Sequence, residues 1–438
     1  MTANRPIFGK WCCRFLVCLA IGFPSVRAET TDLPVSVNLE QLVQILREKS
    51  PRLAAERTRI DIAQADVAAA RAMPNPSISY GRFDHLGGVG TTVFEGSQQQ
   101  LTQVDIPVLI AGQRPARREA AERGVTAAEA QVVNSYAGLL KETWQLFVKL
   151  LAAQEKQQAL ERMEGELDRL KDIVVGRAES GAASRYEVVR MEVEAADLRA
   201  RTEQLRAETL DLSGQIGSTL SLSGWKPRAE GNLQPLGVNV DLSNLKQQAE
   251  AVNPAVTAAR RQEDAAEAGI EKAKRERWPT PVISLGNTWT NNPYGMASFA
   301  GLSVEVPIFD FGQGPIAKAR AEKRAATMER QALLSATLAD LERASAVLLK
   351  NRENLGRFER DVAGRLPLLK EMAEDAYRFS KGNLLELLDA TRARTELALR
   401  RLELTEAVAL AEVDTLTAAG ILAETVSAEG NNTKANKP

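Results

Sequence analysis

The sequence predicts a mainly α-helical chain with a small β part, built as two copies of one programme. Three observations carry this. The stretch Val104–Pro115, VDIPVLIAGQRP, returns 200 residues later as VEVPIFDFGQGP at Val304–Pro315, with five of twelve positions identical. Each copy alternates apolar and polar residues, meets a proline, crosses a Gly-Gln turn and enters a charged helical run through a second proline. That is a strand handed to a helix, since alternation marks a half-buried strand and proline suits the first turn of a helix. Third, no proline interrupts Pro115–Ser180, and those 66 residues would extend roughly 99 Å as a helix, too long for a compact domain.

The elements follow in order. Residues 1–28 read as a secretory signal peptide: Arg5, Lys10 and Arg14 precede the apolar Phe15–Phe23, and Val26-Arg27-Ala28 supplies a cleavage site. The apolar run is short of the ~18–20 residues that span a bilayer. All three cysteines (12, 13, 18) lie inside it, so the exported chain is expected to carry no disulfide or thiol site. Cys18 lacks the small residue before it that lipidation requires.

The first repeat covers 29–222. Leu39, Leu42, Ile45 and Leu46 open an amphipathic helix, and Ser50-Pro51 restarts it, serine capping and proline at the first turn. The pattern stops at Pro74-Asn75-Pro76. Strands are expected at about 77–83 and 101–106 around the glycine-rich loop His85–Ser97, and a helical hairpin at about 115–222. In that hairpin Leu160, Met163, Leu167, Leu170 and Val174 alternate steps of three and four, the coiled-coil spacing. Ser180-Gly181 turns the chain into an antiparallel return helix.

A Pro- and Gly-rich linker, 223–240, leads into a second repeat at 241–422. Asn253-Pro254 matches Ser50-Pro51, and Pro279-Thr280-Pro281 matches Pro74-Asn75-Pro76. Strands are expected at about 282–290 and 301–306, with the loop Asn291–Gly295 between them, and a helical hairpin at about 315–422. Gly364 and Pro367 should kink its first arm. The polar tail 423–438 reads as disordered.

Thr102, Val104 and Ile106 alternate with Gln103 and Asp105, as Leu302, Val304 and Val306 do with Ser303 and Glu305. Apolar outside and polar inside is the pattern of a membrane barrel with a wet lumen. Four strands cannot close a barrel, and open edges are not tolerated in lipid. Closure therefore calls for several copies of the chain.

From about Leu39 to Leu422 the chain resembles the TolC-type outer membrane factors. The carriers are the duplicated Pro-x-Pro strand entrance, the duplicated strand-to-Gly-Gln turn (Pro107, Gly112; Pro307, Gly312) and the paired helix tips. The resemblance implies a homotrimer whose twelve-stranded barrel in the outer membrane lipid continues as a periplasmic α-helical tunnel. It further implies a periplasmic adaptor and an inner-membrane RND transporter as partners. In the first tip, Gly181, Ser184, Arg185, Tyr186, Glu187 and Arg190 match the family's docking segment. In the second, Tyr377, Glu386 and Asp389 match the tyrosine and two acids that line the periplasmic constriction. Ser380 departs from the family glycine, and Gly382 is expected to take over that turn. Arg185 and Arg190 are candidates to pair with acids of a neighbouring tip. On the residues alone, Glu386 and Asp389 are ordinary solvated helix carboxylates, and Asp105 and Glu305 generic lumen polarity. The tip GAASRYE and the start without a lipidation site look most like the cobalt-zinc-cadmium branch.

Composition excludes other classes. With 56 basic and 57 acidic residues intermixed there is no polyanion-binding surface of the kind nucleic acid needs. A single histidine, His85, and no cysteine after residue 18 leave no zinc or copper site of the usual kind, and no cofactor motif or nucleophile elbow is present. No enzyme is expected. Drug efflux or type I secretion through the same fold, and a soluble periplasmic coiled-coil adaptor, are the alternative readings.

Overall fold

A computed structural model describes residues 33–84, 98–291, 295–379 and 381–425; the signal peptide, the loop with His85, Ser380 and the tail beyond residue 425 lie outside them. From Val35 onward the chain folds as one unit. Strand β1 (Ser36–Val37) precedes α1 (Leu39–Lys49). Asn38 caps α1 with its Oδ1 accepting the Gln41 amide at 2.8 Å, and Gln41 Oε1 accepts the Asn38 amide at 3.1 Å. Helix α2 (Pro51–Arg71) starts on proline, but Ser50 does not cap it as the sequence suggested. Its hydroxyl is turned away and donates to the Leu220 carbonyl at 3.1 Å.

Strands β2 (Ser77–Asp84) and β3 (Gln98–Pro107) form the first hairpin. Helix α3 (Gln113–Glu179) is 67 residues long, about 100 Å of unbroken helix, and α4 (Arg185–Thr219) returns along it. The linker holds β4 (Arg228–Ala229), which pairs in parallel with β1. It is pinned to the long helices by buried acceptors. Glu412 is fully buried and takes the amides of Leu236 and Gly237 at 2.5 and 3.0 Å and Arg352 at 2.6 Å. Such pairing is what permits a carboxylate in the interior.

The second repeat restates the first: α5 (Leu242–Val252), α6 (Pro254–Glu276), β5 (Val282–Thr290), β6 (Gly295–Ser303) and α7 (Gln313–Asp361). Asn253 carries out both tasks between which Ser50 has to choose. Its Oδ1 caps α6 at the Ala255 amide (3.0 Å) while Nδ2 donates to the Ala418 carbonyl (3.0 Å). The break expected at Gly364 and Pro367 is present. Helix α7 ends at Asp361, a 3-10 turn covers Ala363–Arg365, and α8 (Leu366–Arg378) begins with Pro367 in its first turn. Helix α9 (Leu384–Ala419) follows, and a helical turn at 422–425 shows that the first three residues of the tail expected at 423–438 are ordered.

The four long strands form one antiparallel sheet in the order β2-β3-β5-β6. Its register puts Ile78, Val104 and Leu285 in one row and Ile106, Ile283 and Leu302 in the next. On the other face Ser77, Asp105 and Ser284 share a row, and Asp105 accepts from Gln103 Nε2 at 2.6 Å and Ser284 Oγ at 2.5 Å. The apolar and polar faces are thus those the alternation predicted. Nothing among the described residues covers the apolar face: Ile78 and Leu302 are 77% and 71% exposed. The returning strand expected at 301–306 is a correction. Strand β6 runs from Gly295 to Ser303, and Val304, Glu305 and Val306 lie beyond it. These three residues have no ladder partner in the single chain, whereas their counterparts Val104 and Asp105 are paired on both sides and Ile106 on one.

Candidate functional site

Two regions hold the residues singled out from the sequence: the helix tips and the strand-helix joints. At the tips, Leu160, Leu167 and Val174 of α3, Met191 and Leu198 of α4, Tyr377 of α8 and Leu384, Leu387 and Leu388 of α9 form one buried cluster. The heptad residues of α3 therefore face a four-helix core within one chain. Both tips end in the same device. Ser184 Oγ accepts the Glu187 amide at 3.3 Å while Glu187 Oε2 accepts the Ser184 amide at 2.7 Å. Asn383 Oδ1 accepts the Glu386 amide at 2.9 Å while Glu386 accepts the Asn383 amide at 3.3 Å. These are reciprocal capping boxes, S-x-x-E and N-x-x-E, a signal present in the sequence but missed there.

Glu386 is thus an exposed carboxylate with a structural duty. Asp389 is exposed one turn later, and the spacing of three keeps both on one side of α9. Tyr377 is a correction. It does not face an entrance but is 4% exposed inside the four-helix cluster. Burial pushes its phenol above the ordinary value, the nearby Arg177 charge opposing and Glu187 adding to the shift, and its hydroxyl has no hydrogen-bond partner. The Arg177 guanidinium covers the ring at 4.6 Å.

Gly382 is a second correction. It has no left-handed backbone; that conformation belongs to Gly181 of the first tip (φ 76°). Aligned on the two capping boxes, Gly382 corresponds to Ala183 and Ser380 to Gly181. An added Cβ at 382 would lie 2.9 Å from Glu386 Oε2 and 3.1 Å from Ala376 Cβ, a tight fit that the flexible end of Glu386 can relieve. Arg185 is exposed and Arg190 half-buried with its Nε unpartnered; among the described residues neither forms an ion pair. Tyr186 and Phe379 project at 66% and 65% exposure.

Sequence reasoning also missed two charge pairs behind the tips, in each of which one member is buried, Glu194 in the first and Arg394 in the second. Arg392 donates two hydrogen bonds to Glu194, which holds its guanidinium above its ordinary value. Arg394 pairs with Glu166, and its own burial shifts it down. No motif marks these residues, because each partner lies about 200 positions away in sequence.

At the joints, Gly112 and Gly312 are both left-handed, at φ 74° and 71°. The glutamine after each turns back: Gln113 Oε1 accepts the Ala111 amide at 2.9 Å and Gln313 Oε1 the Phe311 amide at 2.8 Å. Pro107 ends β3 in the ladder opposite Val282, whereas Pro307 lies past the end of β6. Glu305 is therefore not on the sheet in the single chain, unlike Asp105.

Among the described residues no group of three or more His, Cys, Asp or Glu is placed to hold a metal ion. No helix among them is long and apolar enough to cross a membrane.

Residues 42–216 match the family model described as outer membrane efflux protein. Among characterised proteins, the chain is 23% identical over 373 residues to the cobalt-zinc-cadmium resistance protein CzcC of Cupriavidus metallidurans, covering 84% of this chain and 86% of that one. Among solved structures it superposes on CusC, described by its transmembrane channel formation, with a TM-score of 0.72 at 18% identity, covering 88% of this chain and 92% of that one. The Campylobacter jejuni CmeC outer membrane channel gives a TM-score of 0.72 at 14% identity, with 90% and 88% covered.

Proposed function

We propose that this chain, a TolC-like outer membrane efflux protein by its fold and its first repeat, is the exit duct of a tripartite RND-type efflux system. Its cargo in this reading is a divalent heavy-metal cation. The observation that carries the cargo is the relation to CzcC, which runs along most of both chains.

The working unit in this reading is a homotrimer in the bacterial outer membrane. Three four-stranded sheets close one barrel, with the Ile78–Val104–Leu285 rows toward lipid and the Asp105–Ser284 rows toward water. Closure supplies every edge amide with a partner, which the hydrocarbon region requires. The helices continue the lumen through the periplasm, and cations pass down their gradient without any chemical step.

The tips meet a periplasmic adaptor through Gly181, Ser184, Arg185, Tyr186, Glu187, Arg190, Ser380 and Gly382. The exposure of Tyr186 and Phe379 supports this, because isolated aromatic side chains at a helix turn are suited to burial by a partner. Glu386 and Asp389 of three chains form two acidic rings at the periplasmic entrance, a constriction that favours cations.

Deleting the gene and complementing it tests the assignment. The expected result is lower tolerance of cobalt, zinc and cadmium, restored by the intact gene, with tolerance of hydrophobic drugs unchanged. Drug sensitivity without metal sensitivity overturns the cargo. Membrane fractionation tests the duct itself: a carbonate-resistant, heat-modifiable trimer is expected, and a soluble monomer overturns it.

A further inference from the structure

The two strand-helix joints are copies in sequence and in local geometry, yet the chain closes them differently. Toward α6 the first joint is covered: Gln113 is 1% exposed, and its Nε2 donates to the Trp278 carbonyl at 3.4 Å. Gln313 of the second joint is exposed. Toward its own incoming helix, however, the first joint is the open one. Helix α6 has 23 residues and reaches its joint, so that a Cβ added at Gly312 would lie 2.8 Å from Arg277 Cβ. Helix α2 has 21 and stops two residues earlier, and a Cβ added at Gly112 would meet nothing within 4 Å. The space left is a groove of about 1590 Å³ between residues 71–76 and the stretch 106–126.

Two kinds of side chain line this groove. Pro74 and Pro76 continue the alternation of Ile78, and Ile106 and Val108 that of Val104, so the apolar face of the sheet runs on into it. Where the groove meets the helices it is cationic. Arg71, Arg114, Arg118 and Arg123 stand against Glu119 and Glu122, four arginines to two glutamates, an excess of two positive charges. Glu122 is shared by Arg71 at 3.0 Å and Arg118 at 3.3 Å. Arg114 is held by its Nε, which donates to the Arg71 carbonyl at 2.8 Å. Among the described residues neither Arg114 nor Arg123 forms an ion pair. Both walls belong to one repeat of one chain.

We propose that the groove holds an anionic phospholipid of the periplasmic leaflet. Its phosphate sits on Arg114, Arg118 and Arg123, and its acyl chains run along Val108, Ile106 and Pro76 onto the apolar face. The groove lies where strands give way to helices, which is headgroup depth in the reading of the protein as an outer membrane duct; the proposal rests on that reading. Guanidinium forks match the oxygens of a phosphate, and basic pockets at a membrane surface select anionic headgroups. A free phosphate would use the arginines and leave the apolar walls bare, so the occupant is the amphiphile. At the second joint Arg277 fills the corresponding place.

The test uses the full chain extracted from membranes in a mild detergent. Native mass spectrometry reads the assembly and its bound lipid as dioleoylphosphatidylglycerol or dioleoylphosphatidylcholine is added. The expected result is a trimer that takes up one phosphatidylglycerol per chain, at least tenfold more tightly than phosphatidylcholine, and keeps it in excess inorganic phosphate. Arg118→Gln with Arg123→Gln is expected to weaken phosphatidylglycerol at least tenfold. Lys318→Gln with Arg324→Gln, which removes the same charge from the start of α7, is expected to leave it unchanged. Glu119→Gln is expected to tighten it about fivefold, a gain that misfolding cannot imitate. A trimer that takes up no phosphatidylglycerol, binds both lipids equally or releases its lipid to phosphate overturns the site and leaves the duct intact. So does one indifferent to Arg118 and Arg123, or weakened as much by the α7 variant. A soluble monomer overturns both.

Discussion

Arg177 ties the end of α3 to the end of α8 through Tyr377. Its guanidinium lies 4.6 Å from the ring centroid and its Nη1 donates to the Tyr377 carbonyl at 2.9 Å. A stacked cation and a charge-assisted hydrogen bond together are worth about 2 kcal/mol. Arg177→Ala is therefore expected to raise amide exchange around Phe379 roughly 30-fold through local opening. Arg177→Lys should also show raised exchange, because an ammonium cannot stack and reach the carbonyl in the same fork geometry. Exchange measured by mass spectrometry checks this; protection unchanged in both variants would show that the tips are held elsewhere.

Glu386 has a capping role and a proposed pore role, and two substitutions separate them. Glu386→Gln keeps an acceptor for the Asn383 amide and removes the charge, while Glu386→Ala removes both and costs about 1 kcal/mol of helix stability. Cation selectivity, read as reversal potential in planar bilayers, is expected to fall equally in the two variants and in Asp389→Ala. Only Glu386→Ala should also lower thermal stability. Selectivity unchanged in Glu386→Gln and Asp389→Ala would remove the acidic rings.

Gly286 lies on the polar face of β5 beneath Phe299, where an added Cβ would meet the Thr102 carbonyl oxygen at 2.5 Å and the ring at 2.7 Å. Gly286→Val is expected to lose about 1–3 kcal/mol through overpacking and to reduce the yield of heat-modifiable assembly. Adding Phe299→Ala should restore little of it, because the backbone carbonyl cannot move aside. Full rescue by the double change would place the strain in the ring alone.

Glu263 of α6 accepts from Thr327 Oγ at 2.7 Å and Arg330 Nε at 2.5 Å, both on α7. The Thr327 bond first, then Arg330, holds its carboxyl below the ordinary 4.5. A depressed carboxylate contributes stability that is complete above its unfolded value and lost as pH falls through the folded one. Denaturation curves are expected to show the wild type losing stability below about pH 4.5 by more than Glu263→Gln does. Parallel pH profiles for the two proteins would contradict this.

Much of the fold was legible because it is written in local rules. The 67-residue helix, the prolines flanking the strands and the break near Gly364 follow from periodicity and from what proline and glycine do to a backbone. The duplication was legible too, but it misled at β6. The first hairpin pairs Ser77 with Asp105, whereas the second pairs Val282 with Ser303 instead of with Glu305. A slip of two keeps every side chain on its face, so alternation alone could not detect it.

At the tips, the sequence determined the turns, the caps and the acidic pair on one side of α9. It could not determine that Tyr377 turns inward, because that depends on Arg177 lying across from it, 200 residues earlier in the chain. The same division applies to the opening repeat. Its two copies encode one local shape, a left-handed glycine with a glutamine folded back over it. Only tertiary structure decides that Gln113 is buried and Gln313 bare, because burial depends on which neighbour arrives, and the single chain supplies a neighbour for one joint out of two.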